Sequence, residues 1–385
     1  MISHRRPLLV ALLVPLTMGM TPVEGPAPLD LSSPVEHTNV ATGDTLRLGA
    51  GPNRAAEVPT GLATYRLDAA GGNTFTAVVD STVPADAELA LDVRGRMSDG
   101  QWTEWTEIRP SAPAVLPVSV DDAQVRATLS GAAELRSVTV TPSVTSSAPT
   151  SVVRAAGAGV TYELFATREG LVGGTTANGH KIVERDHFVA LPSRRGLSAK
   201  GKGDYSVRVC AKNGRCEWAP TWDVGPWNTR DDHWNPAGQR QEWADLPQGR
   251  PQSQAAYQDG YNGGKDQFGR KVANPAGIDL ADGTFWDGLK LTNNAWVSVT
   301  YQWTGSLPFG YVDTFGTPLN VRSGTDTSHP VVGIAAEFAQ VRIECQTTGA
   351  SANGTQGTSN VWYRLAPGMF AAAAYVGGAT GVPAC

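Results

Sequence analysis

The chain has 385 residues, only 17% of them charged, and a formal net charge of −5. No segment carries a basic stripe, so we expect no nucleic-acid partner. The 43 glycines and 26 prolines, with abundant Val and Thr, favour strands and turns over long helices. Length and composition together predict a mostly β protein of two or three domains.

The N-terminus predicts export. His4, Arg5 and Arg6 precede an apolar run over residues 8–20, which is the pattern of a secretory signal peptide. The run is shorter than the roughly 20 apolar residues that a transmembrane helix needs. We therefore expect a signal peptide over 1–20 and no membrane association after its cleavage, with a retained anchor as the alternative. The mature protein is expected to be extracellular or associated with the cell wall.

The next segments predict an arm and a first domain. Residues 21–46 are rich in Pro, Ala, Thr and Ser, which is typical of a linker or a disordered arm. Short runs that alternate apolar and polar residues then follow, separated by turns, and they predict a β-sandwich over 47–142. These runs are residues 87–97, 124–129 and 135–141.

One motif in this domain contains two tryptophans. The segment Asp99-Gly-Gln-Trp-Thr-Glu-Trp105 resembles a motif of β-sandwich modules attached to secreted actinobacterial wall enzymes. Trp102 and Trp105 are either ligand platforms or packing residues, and we favour packing because closely spaced aromatics in a strand and turn usually serve a core.

A second linker is expected over 143–160, followed by a central domain over 161–305. Eight of the eleven tryptophans lie between Trp218 and Trp303. Tryptophan rings build cores, but they also stack on sugar rings. The ligand-binding candidates among them are Trp222, Trp227 and Trp286, and burial in the core is the alternative for most tryptophans of this segment.

Four motifs occur in order in the central domain. They are Gly173-Gly-Thr-Thr-Ala-Asn-Gly-His180, Asp186-His-Phe-Val-Ala-Leu-Pro192, Trp222-Asp-Val-Gly-Pro-Trp227 and Gly277-Ile-Asp-Leu280. They resemble the landmarks of the double-psi β-barrel shared by rare lipoprotein A, expansins and related wall-active proteins. The resemblance covers most of the domain and implies a double-psi β-barrel-like fold, with an insertion at 228–274 that is atypical of the family.

The resemblance also implies candidate catalytic residues. In that family the Asp of the I-D-L segment is the candidate acid, which is Asp279 here; a structural carboxylate that caps a loop is the alternative. Asp223 and His187 match the acidic residue and the His that share the groove in lytic members. Asp223 could instead bond its own turn. His187 lies one position further from Leu191 than the family pattern has it, so His180 is a substitute.

The cysteines predict two disulfides, which suits an oxidising compartment. Cys210 and Cys216 flank a segment that contains Asn213-Gly214, a dipeptide typical of hairpin turns. Their strands would bring the two thiols together, and Cys345 would then pair with Cys385. Four cysteines allow three connectivities, and this is the one we favour.

We expect no metal and no other cofactor. The chain has no Cys-x-x-Cys and no His at ligand spacing near its cysteines. Asp231, Asp232 and His233 form a cluster of potential ligands, but adjacent residues in a loop rarely converge on one ion.

The last segment, 311–385, resembles a bacterial SH3 domain, and its alternating apolar residues fit a small barrel. The resemblance implies a module that binds the cell wall. The residues that carry it are Leu319–Gly324, Pro330–Gly333, Val341–Cys345 and Val361–Leu365.

Together these observations predict a secreted protein whose partner is peptidoglycan or another wall polysaccharide. The leading hypothesis is glycan binding with remodelling in the manner of a lytic transglycosylase. One alternative is a non-catalytic wall-binding or structural module. Another is a secreted protein-binding or inhibitor factor that uses segment 228–274 as its contact surface. Fold alone does not decide among them.

Overall fold

The computed structural model describes residues 28–49, 60–145 and 154–385. The predicted signal peptide lies outside these ranges. Strands make up most of the regular structure in the described ranges, which confirms the mostly β prediction. No helix within these ranges has both the length and the apolar character needed to cross a bilayer.

The first sheet is dominated by two long strands. Its strands are β1 (Glu36–Thr38), β2 (Val40–Ala41), β3 (Leu46–Leu48), β4 (Thr60–Thr82), β5 (Glu88–Gly95), β6 (Thr106–Glu107), β7 (Ala114–Ser130) and β8 (Glu134–Ser143). Their order is β2-β3-β8-β4-β7-β5-β6, with β1 beside β4. The register of β4 against β7 shifts near Ala70 and Gly71, which both have positive φ. On its other edge, β4 pairs with β1 before this point and with β8 after it.

The segment predicted as a free arm belongs to this sheet from Pro28 onwards. It contains β1, β2 and the first residue of β3, and its Leu31 and Leu46 are buried in the core of the first domain. A few apolar side chains therefore anchor a stretch whose overall composition is typical of a linker.

The central domain is a closed six-stranded barrel. Its strands are β9 (Thr161–Arg168), β10 (Val189–Leu191), β11 (Ser206–Ala211), β12 (Cys216–Val224), β13 (Ala276–Leu280) and β14 (Ala295–Tyr301). They follow the order β10-β13-β9-β14-β11-β12, and β10 pairs with β12 to close the barrel. Val189 and Leu191 on β10, and Ile278 and Leu280 on β13, point into its core.

The barrel consists of two interleaved units related by an approximate two-fold repeat. The first unit is β9, β10 and β11, and the second is β12, β13 and β14. The first strand of each unit pairs in parallel with the second strand of the other, as β9 does with β13 and β12 with β10. At the centre of the repeat β10 and β13 pair antiparallel, with Ala190 opposite Asp279. This arrangement agrees with the predicted double-psi barrel.

Each unit contains the same turn between its first two strands. Turn 1 is Gly173-Gly-Thr-Thr-Ala-Asn-Gly-His-Lys-Ile182, and turn 2 is Gly263-Gly-Lys-Asp-Gln-Phe-Gly-Arg-Lys-Val272. Thr175 bridges Lys181 in turn 1 and Lys265 bridges Lys271 in turn 2. Gly179 and Gly269 both have positive φ, 86° and 77°, which favours glycine.

Turn 2 lies inside the segment predicted as an insertion, 228–274, so the end of that segment is part of the second unit. The part before turn 2 contains the helix α1 (Gln252–Asp259). This part packs tightly on the barrel, because a Cβ on Gly277 would lie 2.5 Å from Pro251 Cγ, and Ser253 Oγ donates to the Ala276 carbonyl at 2.6 Å.

The C-terminal unit continues the barrel sheet. Its strands are β15 (Phe309–Val312), β16 (Leu319–Arg322), β17 (Val331–Ala335), β18 (Gln340–Arg342), β19 (Cys345–Gly354), β20 (Gly357–Ala366), β21 (Met369–Ala372) and β22 (Val376–Gly377). Strand β17 pairs in parallel with β12, with Gly333 opposite Cys216. The predicted disulfides Cys210–Cys216 and Cys345–Cys385 are both present, which is compatible with an extracellular protein.

Short helical turns connect the strands. There are 3₁₀ turns at Arg194–Gly196, Tyr261–Gly264, Gln302–Thr304 and Ala373–Tyr375, and a π-helical turn at Thr284–Gly288.

Trp105 packs at the interface between the first domain and the barrel. It is 2% exposed, and its indole N–H donates to the Leu197 carbonyl at 3.3 Å. The guanidinium groups of Arg94 and Arg126 lie 4.5 and 4.2 Å from its ring centre. Trp105 is thus a packing residue, which agrees with the prediction from the sequence.

Glu104 adds a polar connection at the same place. One of its carboxylate oxygens accepts the indole N–H groups of Trp234 and Trp303, each at 2.7 Å, and the other accepts from Asn235 at 2.6 Å. The motif Asp99–Trp105 is therefore an interface between domains.

Candidate functional site

A row of four residues crosses the outer face of the barrel. Thr167 on β9 pairs with Asp279 on β13, Asp279 pairs with Ala190 on β10, and Ala190 pairs with Asp223 on β12. Directly opposite residues on neighbouring strands share a face. Strands lie about 4.8 Å apart, so the Cα atoms of Asp279 and Asp223 are roughly 10 Å apart. The structure thus places the two predicted carboxylates in one row on the side of the sheet that faces away from the barrel core, and we call this row the outer row. Thr167 is 9%, Ala190 3% and Asp223 2% exposed, so only Asp279 is partly accessible.

Asp279 is the more accessible carboxylate of the outer row. Its side chain is partly exposed, and the Thr167 hydroxyl donates a hydrogen bond to Oδ1. On the other side, a Cβ placed on Gly225 would lie 4.0 Å from Asp279 Oδ2. Asp279 therefore lies between a hydroxyl donor and the backbone of the loop that leads to Trp227.

Asp223 holds turn 1 in place. It is 2% exposed, and its Oδ1 accepts the backbone N–H groups of Ala177 at 2.8 Å and Val224 at 2.9 Å. A register shift of β12 against β10 places an extra residue, Trp222, before Asp223. Such bulges re-aim side chains and are common next to functional sites.

The two units use equivalent positions differently. In turn 1 the Ala177 N–H bonds Asp223, whereas in turn 2 the equivalent N–H, that of Gln267, bonds the Asn228 side chain at 2.9 Å. Ala190 is the counterpart of Asp279 in the repeat. Both carboxylates thus belong to the second unit: the buried Asp223 secures turn 1 of the first unit, whereas Asp279 is partly exposed and has an alanine as its counterpart.

His187 is not brought together with these carboxylates. Its Nδ1 lies 3.1 Å from Oε1 of Glu217, a fully buried residue that also accepts the Thr284 hydroxyl at 2.9 Å. Glu217 is six residues before Asp223 on β12, about 20 Å along a strand. Burial alone would lower the pKa of His187, but the hydrogen bond and charge of Glu217 outweigh it and raise that pKa.

His180, the substitute, also has its own partner. Its Nε2 lies 2.7 Å from Asp186 Oδ2, and its ring centre lies 4.7 Å from that of Trp222. Trp222 is only 7% exposed, and Phe188 and Phe338 also pack around it. The ring of Trp222 is therefore part of a small core and is not available as a sugar platform.

The other two candidate tryptophans are more accessible. Trp286 is part of an open depression of about 410 Å³, and the guanidinium groups of Arg168 and Arg185 each lie 4.7 Å from its ring centre. Trp227 is partly exposed, and its indole N–H donates to the Asn274 side chain at 3.1 Å. Trp227 follows Gly225, the residue beside Asp279, by two positions.

The cluster of Asp231, Asp232 and His233 is divided among separate partners. Asp231 pairs with Arg240 at 2.5 Å, Asp232 with Arg195 at 2.7 Å, and His233 Nε2 lies 2.8 Å from the Tyr301 hydroxyl; all three cluster residues are fully buried. Within residues 28–49, 60–145 and 154–385, no group of three or more His, Cys, Asp or Glu side chains is arranged to hold a metal ion.

This buried cluster predicts a pH-dependent stability. Burial first, and the Arg240 charge second, lower the pKa of His233 to about 3, against about 6.5 in an unfolded chain. Below pH 6.5 the unfolded chain therefore binds a proton that the folded chain does not. The contribution of His233 to the free energy of unfolding should therefore fall on acidification from pH 6.5 to about 3, by up to about 1.4 kcal/mol per pH unit.

Asp231 acts in the opposite direction. Burial raises its pKa to about 6, so the folded chain takes up that proton first and gains stability as the pH falls from 6 to 3.8. In His233→Gln the contribution of His233 is removed and that of Asp231 remains, so the free energy of unfolding of the variant should fall less on acidification than that of the wild type. The measurement is urea unfolding of both proteins between about pH 7 and pH 4, roughly the range in which these groups titrate. It gives the free energy of unfolding of each protein as a function of pH. Identical pH profiles would contradict it.

Sequence reasoning missed Thr167, Gly225 and turn 2. The available signal was a repeated pattern that begins at Gly173 and again at Gly263. It consists of two glycines, four other residues, a glycine, a basic or His residue and a Lys. It identifies the second unit and shows that Asp279 and Ala190 are counterparts. Thr167 had no local signal, because only the pairing of β9 with β13 brings it to Asp279.

Comparison with known proteins covers parts of the chain. Residues 160–300 match the family described as "Domain of unknown function (DUF8814)", a range that coincides with the six-stranded barrel. The chain is also similar to the uncharacterized protein YraI of Bacillus subtilis (strain 168), with 40% identity over 47 residues. That similarity covers 12% of this chain and 40% of YraI, so the chain spans less than half the length of this relative.

Proposed function

We propose that the protein is secreted to the cell wall, binds peptidoglycan glycan at the partly exposed Asp279 of the outer row, and cleaves it as a lytic transglycosylase. The observation that carries the proposal is Asp279, a partly exposed carboxylate with the Thr167 hydroxyl on one oxygen and the Gly225 loop beside the other. The ordered motifs that resemble the wall-active double-psi barrels support it. The C-terminal unit, which resembles a bacterial SH3 domain, would hold the protein on the wall.

The chemistry requires one carboxyl group. Protonated Asp279 donates its proton to the glycosidic oxygen as the bond from the anomeric carbon to that oxygen breaks. The C6 hydroxyl of the same sugar attacks the anomeric carbon and forms a 1,6-anhydro ring. The Asp279 carboxylate accepts the hydroxyl proton, so the acid is restored and no water is consumed. Thr167 positions the carboxyl through its hydrogen bond.

A non-catalytic wall-binding protein is the second candidate, and the position of His187 favours it. The His expected beside the acid is bonded to Glu217 instead. In this alternative the outer row binds glycan without cleaving it.

The test is to incubate the mature protein with purified peptidoglycan, sediment the polymer, and measure both the bound protein and the soluble fragments. Sedimentation with release of fragments is the expected result. Sedimentation without fragments would support the non-catalytic candidate, and a protein that does neither would contradict both.

A further inference from the structure

The tips of the two turns differ in exposure. Asn178 at the tip of turn 1 is 2% exposed and donates to the Ser198 carbonyl at 3.1 Å, and the adjacent Gly179 lies against Thr38 of the first domain. Phe268, at the equivalent position of turn 2, is 50% exposed. Turn 1 forms the same backbone with Asn at this position, so folding of the turn does not require an exposed aromatic ring there.

Phe268 is connected to the outer row by Arg270. The Arg270 guanidinium lies 5.0 Å from the centre of the Phe268 ring, and its Nη2 donates to the Trp227 carbonyl at 2.8 Å. Trp227 in turn follows Gly225, the residue beside Asp279, by two positions. A path of partly exposed and exposed residues, connected by these contacts, therefore runs from Asp279 past Gly225 and Trp227 to Phe268.

The Phe268 end of this path is positively charged. Lys265 and Lys271 are exposed and lie directly opposite each other at the neck of turn 2. Like charges in that position repel each other and cost stability. Asp266, the single acidic residue in the sequence of the turn, is buried and bonded to Arg270 at 2.6 Å. A bound anion between the two lysines would relieve their repulsion.

We propose that turn 2 is a subsite for an anionic polysaccharide, in which a sugar ring stacks on Phe268 and a carboxylate or phosphate of the polymer lies between Lys265 and Lys271. Aromatic faces bind the apolar faces of sugars, and clustered cations attract such anions. This inference rests on the proposed function, since it extends the same glycan-binding surface beyond Asp279.

The experiment measures sedimentation of three variants of the full mature chain with purified peptidoglycan. Phe268→Ala removes the ring, the double variant Lys265→Gln and Lys271→Gln removes the charges, and Tyr257→Ala removes an aromatic of similar exposure on α1 as the matched control. We expect Phe268→Ala and the double variant each to weaken binding about tenfold, which corresponds to one lost stacking or charge contact. The control should bind like the wild type.

Two further arms identify the anion. Binding by the wild type should weaken with added salt, and that dependence should be reduced in the double variant. Binding to peptidoglycan from which phosphate-containing polymers have been removed distinguishes a phosphate from a carboxylate as the bound anion. Binding to neutral chitin oligosaccharides should change little when the two lysines are replaced.

Each outcome decides the question once urea unfolding has shown that the variants are at least as stable as the wild type. If the wild type binds peptidoglycan and the Phe268 and lysine variants bind equally well, the subsite is wrong and the proposed function stands. If the wild type does not bind peptidoglycan at all, both fail.

Discussion

Replacing Asp279 by Asn is expected to reduce the release of soluble fragments from peptidoglycan by about 10²–10⁴-fold, the usual contribution of a positioned general acid. Asparagine has nearly the same shape and can still accept the Thr167 hydrogen bond, so the local fold should be kept. It cannot transfer a proton to the glycosidic oxygen. Binding to the polymer should therefore remain close to that of the wild type, and fragment release under saturating substrate is the measurement.

The control for this variant is Asp287→Asn. Asp287 is a partly exposed carboxylate in the π-helical turn Thr284–Gly288, and its partner is the exposed Arg185 at 3.4 Å. Its replacement changes the net charge by the same amount and should leave fragment release unchanged. If Asp279→Asn releases fragments as fast as the wild type does, Asp279 is a structural or binding residue and the catalytic assignment is wrong.

The second large effect is expected for Trp105→Ala, which should lower the free energy of unfolding by about 3–5 kcal/mol. The ring is buried and in contact with the guanidinium groups of Arg94 and Arg126, at the junction of the first domain and the barrel. Truncation leaves a cavity there and removes the hydrogen bond to the Leu197 carbonyl. Urea unfolding at constant pH measures the change.

Trp102 provides the matched comparison within the same motif. Its ring is only partly buried, although Arg94 lies 4.4 Å from its centre. Trp102→Ala should therefore cost clearly less than Trp105→Ala. Equal losses, or a loss at Trp105 below about 1 kcal/mol, would show that the junction does not depend on this ring.

The parts of the fold that follow from local pattern could be predicted from the sequence. The Asn213-Gly214 turn determines the hairpin that joins Cys210 to Cys216, and that disulfide is present. Apolar alternation identified β5, the end of β7 and β8, but not the long strand β4. The arm was different, because Leu31 and Leu46 are isolated apolar residues in a linker-like composition, and only their burial reveals that they belong to a core.

The site was less accessible to sequence reasoning, because its geometry depends on pairing between distant strands. Asp279 and Asp223 were chosen from motifs, and they share a face only because β10 pairs with both β13 and β12. His187 was chosen in the same way, but its side chain is directed by Glu217, a residue on another strand that no motif marks. Turn 2 was obscured because its central residues, Lys265 to Arg270, differ in composition from those of turn 1.

The central claim is that the carboxyl group of Asp279 cleaves glycan without water. The most direct test is the mass of the fragments that the mature protein releases from purified peptidoglycan. The proposal predicts fragments with 1,6-anhydro ends, each lighter by one water than the hydrolysis product, and their absence with Asp279→Asn. Fragments with ordinary reducing ends, or anhydro fragments that persist in the variant, would contradict it.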